Sequence, residues 1–170
     1  MRSLKITLLA AVAVAAVSST AFAADLIVDT PMAPVVDNSF NWDGAYIGAF
    51  VQGQTVPNAF GLGINFGVNA LMDNILVGGE ISGAVAWPGN VWSGQATGKL
   101  GGLISDGAAI YGYSGIGSKQ FTSYYVPVGA GIEVAVSDHA SIKAEAQYNF
   151  DLTNSAQNST TVKVGFNWHF

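Results

Sequence analysis

Cysteine is absent from this chain, histidine occurs twice, and Asp, Glu, Lys and Arg together supply 10% of the residues. Without cysteine there is neither a disulfide framework nor a thiolate metal or redox centre. His139 and His169 lie far apart, and no close His/Asp/Glu cluster of ligand spacing accompanies either, which leaves no metal signature. The charged fraction falls well below the ~25% of ordinary soluble domains. Basic residues are scarce, six against eleven acidic ones, so charge alone draws the chain neither to nucleic acid nor to an anionic membrane surface. Beyond the N-terminus no uninterrupted apolar run reaches the ~20 residues of a membrane helix. Yet 50% of the chain is hydrophobic, so that hydrophobicity must be dispersed.

It is dispersed in alternation. Thr160, Val162, Val164, Phe166, Trp168 and Phe170 alternate with Thr161, Lys163, Gly165, Asn167 and His169, giving one strand an apolar and a polar face. The pattern recurs, and no helices are predicted to cover the apolar faces. A closed barrel in lipid resolves this, since its outward residues meet acyl chains and its inward ones meet a polar lumen. The expected fold is all-β, an eight-stranded antiparallel up-and-down transmembrane β-barrel.

The N-terminus reads as an export signal: Arg2 and Lys5, an apolar run from Ile6 to Val17, then the small-x-small step Ala21-Phe22-Ala23. Residues 1–23 are therefore expected to be a secretory signal peptide, 24–41 a periplasmic leader broken by Pro31 and Pro34, and 42–170 the barrel. Cleavage removes Arg2 and Lys5, so four basic residues face eleven acidic ones, a net charge of −7.

From Trp42 onward, Gly, Pro, Asn, Asp and Ser clusters divide the chain into eight segments. In the first, Ala45, Ile47, Ala49 and Val51 share one face while Gly44, Tyr46, Gly48 and Gln52 share the other, with Phe50 among the second set. The next is cleaner, with Phe60, Leu62, Ile64, Phe66 and Val68 outward against Gly61, Gly63, Asn65, Gly67 and Asn69. The third sends Val77, Ile81, Val85 and Trp87 outward and the fourth Ala96, Leu100 and Ile104. The fifth, about 108–117, is Gly-rich and its facing is open. Val126 to Val136 and Ile142 to Phe150 supply the outward sets of the sixth and seventh. An even strand count puts both termini at one end, expected to be periplasmic, with short outer loops near 53–58, 88–91, 118–124 and 152–159.

The inward ionisable residues form a candidate lumen charge network: Glu80, Lys99, Glu133, Lys143, Glu145 and Lys163. A turn about Gly89-Asn90 sets Glu80 opposite Lys99, a turn about Asp138 sets Glu133 opposite Lys143, and a symmetric last loop leaves Lys163 diagonal to Glu145. A narrow lumen requires such charges to be partnered, and small barrels are filled by their own side chains, so structural pairing is favoured over an ion path. Trp42, Trp87, Trp92 and Trp168, near strand ends, read as interfacial aromatics. Catalysis by an outer-membrane hydrolase or acyltransferase needs a nucleophile and base near the outer rim, whereas His139 and His169 belong to the opposite end. No cofactor is expected.

Trp42-Asp43-Gly44-Ala45-Tyr46-Ile47-Gly48 resembles the W-x-G-x-Y-x-G opening of the small alphaproteobacterial outer-membrane proteins related to the 25 and 31 kDa surface antigens of Brucella. Gly129-x-Gly131-x-Glu133, Ser137-Asp138 and Ser141-x-Lys143-x-Glu145-x-x-Tyr148 resemble the sixth and seventh strands of that opacity-like, porin-like family, and Lys99-Leu100-Gly101 its basic-Leu-Gly step. The resemblance implies an outer-membrane barrel in contact with outer-membrane lipid, mostly envelope-structural, with porin-like, adhesive or haemin-binding members. Phe166, Trp168 and Phe170 resemble the C-terminal signal read by the barrel-assembly machinery. The expected function is structural support of the envelope by a barrel closed with side chains; the alternatives are a narrow porin for small polar solutes and a surface adhesion or interaction protein.

Overall fold

Strands with one apolar and one polar face can bury their backbone hydrogen bonds without a covering layer if the sheet closes on itself. The computed structural model describes residues 40–153 and 157–170; the signal peptide and all but the last two leader positions lie outside them. The strands are β1 (Gly44–Thr55), β2 (Asn58–Met72), β3 (Ile75–Trp87), β4 (Val91–Ser105), β5 (Ala108–Lys119), β6 (Ser123–Ala135), β7 (Ala140–Asp151) and β8 (Ser159–His169). Each pairs antiparallel with the next, and β8 returns to β1 through pairs such as Ala49↔Phe166 and Val51↔Val164, closing the barrel.

The two faces separate as the alternation requires. Phe60, Leu62, Ile64, Phe66 and Val68 of β2 point outward, Ile64 being 67% exposed, as do Val162, Val164, Phe166 and Trp168 of β8. An apolar belt around the whole outer wall far exceeds the patches soluble monomers expose; it is the surface of a membrane-spanning barrel. β5, whose facing the sequence left open, turns Tyr111 and Tyr113 inward and Ile110 and Ile116 outward. A β-bulge between Leu103 and Ser105 shifts its register with β4.

The connections are short. At the end holding Asp43 and the last residue, the turns carry Asp73, Asp106 and Asp138, and all four aspartates are exposed. Asp73 has φ 53, a left-handed conformation that Asp tolerates. At the opposite end the connections are 56–57, 88–90, 120–122 and 152–158, and none contains a charged residue.

Two expected registers are corrected. The β3–β4 turn takes in Trp87 as well as Pro88-Gly89-Asn90, so Ala86 pairs with Val91, Glu80 faces Thr97 and Lys99 faces Gly78. Glu80 and Lys99 are thus diagonal rather than opposite. The last loop is asymmetric, with the result that Glu145 and Lys163 are direct partners. Glu133 does face Lys143.

The expectation that Trp42 is an interfacial aromatic does not hold. It is 1% exposed and packs inside the mouth with Phe40, Leu76 and Ala109. Its indole Nε1 donates to the backbone oxygen of Asp106 across the opening, at 3.0 Å. The reason is parity: Trp42 continues the inward face of Gly44 and Tyr46. Phe40, assigned to the leader by sequence, belongs to the same apolar plug.

Candidate functional site

Inside the wall, polar side chains form three tiers along the barrel axis. Beneath the Phe40–Trp42 plug lies the first. Its centre is Glu133 Oε1, which accepts from Asn167 Nδ2 at 2.7 Å and from Ser141 Oγ, and lies 3.3 Å from His169 Nε2. The His169 ring stacks on Tyr46, with centroids 5.2 Å apart, and meets Phe40 edge-on at 4.8 Å. Although Glu133 faces Lys143 in register, its carboxylate turns to this end, toward His169 Nε2, Ser141 and Asn167.

The second tier joins the remaining charges. Glu80 Oε2 accepts from Lys143 Nζ at 2.7 Å and from Tyr46 Oη at 2.8 Å, and Lys99 Nζ stands 3.6 Å away. Lys143 also reaches Glu145 at 3.6 Å, and Glu145 contacts Lys163 at 3.7 Å and accepts from Tyr111 Oη at 2.9 Å. Lys99 is held between rings, 4.6 Å from the centroid of Tyr46 and 4.9 Å from that of Tyr111, a cation–π arrangement that offsets part of its lost hydration. Asn65 links the tiers by donating to Asn167 Oδ1 at 2.9 Å.

The third tier is uncharged apart from Lys163, whose ammonium donates to Gln147 Oε1 at 2.8 Å. Gln147 donates in turn to Asn149, which bonds to Ser159 and Thr161. All six residues of the anticipated charge network are buried and belong to one connected set. Within this set three carboxylates and three ammonium groups balance formally, while Lys119 and Asp151 lie beyond it toward the end away from the plug.

Sequence reasoning put Tyr46 and Phe50 on the inward face of the first strand but missed that aromatic rings fill the lumen. Tyr46, Phe50, Tyr111, Tyr113 and Tyr125 face inward, and across the ladder each has a glycine partner: Gly67, Gly63, Gly131, Gly129 and Gly117 respectively. A Cβ built on any of those glycines meets the ring of its partner. The ring therefore occupies space its neighbour's side chain would fill, an intramolecular pairing that recurs in sheets. The visible signal is an aromatic of inward parity opposite a glycine.

Of the remaining aromatics, Trp87 is half-buried against Phe60, Trp92 is 55% exposed beside Phe121, and Trp168 is 45% exposed beside His139. All three lie near strand ends on the outward face. Phe166 and Phe170 also point outward.

Ser141, His169 and Glu133 are the residue types of a hydrolytic triad, but their geometry is not one. Ser141 and Glu133 both contact Nε2 of His169, while Nδ1 has no hydrogen-bond partner among the described residues. A triad requires the carboxylate on one ring nitrogen and the serine on the other. Among the described residues no three metal-ligating side chains converge.

The sequence matches no protein-family profile and no curated protein. Solved structures do match. The N-terminal β-barrel domain of Pseudomonas aeruginosa OprF shares 14% identity, covers 75% of this chain and 98% of its own, and gives a TM-score of 0.60. The Yersinia pestis outer membrane protein Ail, solved in a phospholipid bilayer nanodisc, shares 15% over 75% of this chain and 99% of its own, TM-score 0.53. The outer membrane enzyme PagL shares 9% over 74% and 99%, TM-score 0.53. The fold is that of small outer-membrane barrels, and a single architecture that includes an attachment and invasion locus protein and an enzyme leaves the function to be argued from the site.

Proposed function

We propose that this chain is a structural outer-membrane barrel of the Brucella-antigen-like family, exported by a cleaved signal peptide, which supports the envelope with a lumen held shut by its own side chains. One observation carries the reading: the six charges at the middle of the lumen engage one another within a single buried network, and Phe40 and Trp42 cap one end of it. A conducting pore needs mobile water and groups free to exchange partners, whereas these groups are engaged with each other. The short outer connections, at 56–57, 88–90, 120–122 and 152–158, offer little surface for adhesion. The single-nitrogen arrangement at His169 supports a non-catalytic role.

The outward Trp87, Trp92 and Trp168 fit the interfacial belt of a barrel in outer-membrane lipid. Phe166, Trp168 and Phe170 serve as the assembly signal for the barrel-assembly machinery. The reading is tested by single-channel recording of the refolded mature chain in planar bilayers, alongside a Glu80→Gln, Lys99→Gln double variant. A silent wild type, shown to be folded by heat-dependent gel mobility, is expected. Reproducible current steps that change in the variant would replace this reading with the narrow porin.

A further inference from the structure

At the end opposite the plug, the lumen opens into a polar cup. Its cavity of ≈ 20 Å³ is enough for one water or one oxygen of a larger anion. Glutamines, serines, Asn149, Thr161, Tyr125, Lys119 and Lys163 supply the polar lining, and no carboxylate of the described residues lines it. Lys163, at the inner side, already contacts Glu145 and Gln147. Lys119, the last residue of β5, makes no ion pair among the described residues; its ammonium lies 5.6 Å from the ring centroid of Tyr125. Asp151, the carboxylate at this end, accepts from Ser123 Oγ and from the backbone NH of Thr153 and lies outside the cup.

The free donors converge from three strands. Gln52 and Gln54 come from β1, Ser82 from β3 and Lys119 from β5; all are half-buried, and their side chains make no hydrogen bond to another described residue. Donors on several sides, one full positive charge and no acid in the wall match a tetrahedral oxyanion, whose separate oxygens each accept a hydrogen bond. A halide would satisfy fewer of them. The cavity admits one oxygen to depth and leaves the remainder of the group at the rim, as a terminal phosphate requires.

We propose that this cup is a phosphate-binding site, with Lys119 as its charged contact and Gln52, Gln54 and Ser82 as neutral donors. The same chemistry is offered by inorganic phosphate and by the phosphomonoester headgroup of a lipid packed at the rim.

The test follows the side-chain amide resonances of Gln52 and Gln54 in the folded full-length mature barrel, first in maltoside micelles titrated with inorganic phosphate. Then phosphatidylcholine nanodiscs are compared with and without phosphatidic acid. Saturable shifts with inorganic phosphate support the site and show that the free ion suffices. Shifts confined to phosphatidic acid nanodiscs support the site with lipid as the source. Lys119→Gln is expected to weaken binding about tenfold, the usual scale for a lost charge-assisted contact, and Lys119→Arg to retain it. Gln54→Leu supplies a second, uncharged perturbation should the lysine variants fold poorly. No saturable shift with either probe, or undiminished binding by folded Lys119→Gln, overturns the proposal.

Discussion

Tyr46 occupies the lumen space that a side chain on Gly67, its partner across β1 and β2, would otherwise fill. The ring cannot swing aside freely, because its hydroxyl donates to Glu80 at 2.8 Å and accepts from Lys99 at 2.5 Å. Gly67→Ala should therefore destabilise the barrel by about 1–3 kcal/mol, the scale of overpacking a filled interior. Equilibrium urea unfolding in lipid vesicles measures it. Adding Tyr46→Ala should make the double variant less destabilised than the two single changes summed, since the substitutions share one volume; strict additivity would refute the steric account.

Lys143 and Lys99 both approach Glu80, but not equivalently. Lys143 is at 2.7 Å and also reaches Glu145, whereas Lys99 is at 3.6 Å. Lys143→Met should cost about 3–5 kcal/mol, the scale of an abandoned buried partner, and Lys99→Met distinctly less, because Glu80 would keep Lys143. Unfolding midpoints for the pair decide the order, and equal losses would mean that the network does not distinguish its two lysines.

Trp42 inside the mouth and Trp92 and Trp168 on the wall should report different solvents. In single-tryptophan proteins, lipid-borne quenchers should dim Trp92 and Trp168 while leaving Trp42 bright and blue-shifted. Trp42→Phe, which removes the donor to the Asp106 backbone oxygen, should lower stability by about 1 kcal/mol. Lipid quenching of Trp42 as strong as that of Trp168 would put it outside the plug.

Phe170 is 69% exposed, and its backbone NH donates to Ala45 O at 3.0 Å. Deleting it removes little that holds the finished barrel together. The shortened chain should refold in detergent with near-normal unfolding, yet reach the membrane poorly in cells, as gauged by the heat-modifiable fraction. Normal insertion in cells would remove Phe170 from the assembly role.

The strands and their facing were legible because alternation repeats over long runs, as in β2 and β8. Register was less so: sliding the four-residue β3–β4 turn by one position, from 88–91 to 87–90, moves Glu80 from Lys99 to Thr97, and nothing local in the sequence fixes where that turn starts. The charged set was readable from parity alone, but not its wiring. A long side chain chooses among several partners within reach, and Glu133 reaches His169 and Asn167 instead of its register partner. Trp42 could have been placed correctly by counting back from Tyr46. The aromatic filling was obscured in β5 because glycines interrupt the alternation that would have revealed Tyr111 and Tyr113.

The aspartates confined to one set of turns bear on how the barrel enters its membrane. Each hairpin must push one tip through hydrocarbon, and a carboxylate carried across is costly. The tips at 56–57, 88–90 and 120–122, and the longer 152–158, bear no charge, while Asp43, Asp73, Asp106 and Asp138 gather at the other rim. The chain is thus polarised from rim to rim: the connections of one end carry no charge, with Lys119 and Asp151 held at the strand ends beneath them, and a ring of exposed carboxylates would resist passage of the other.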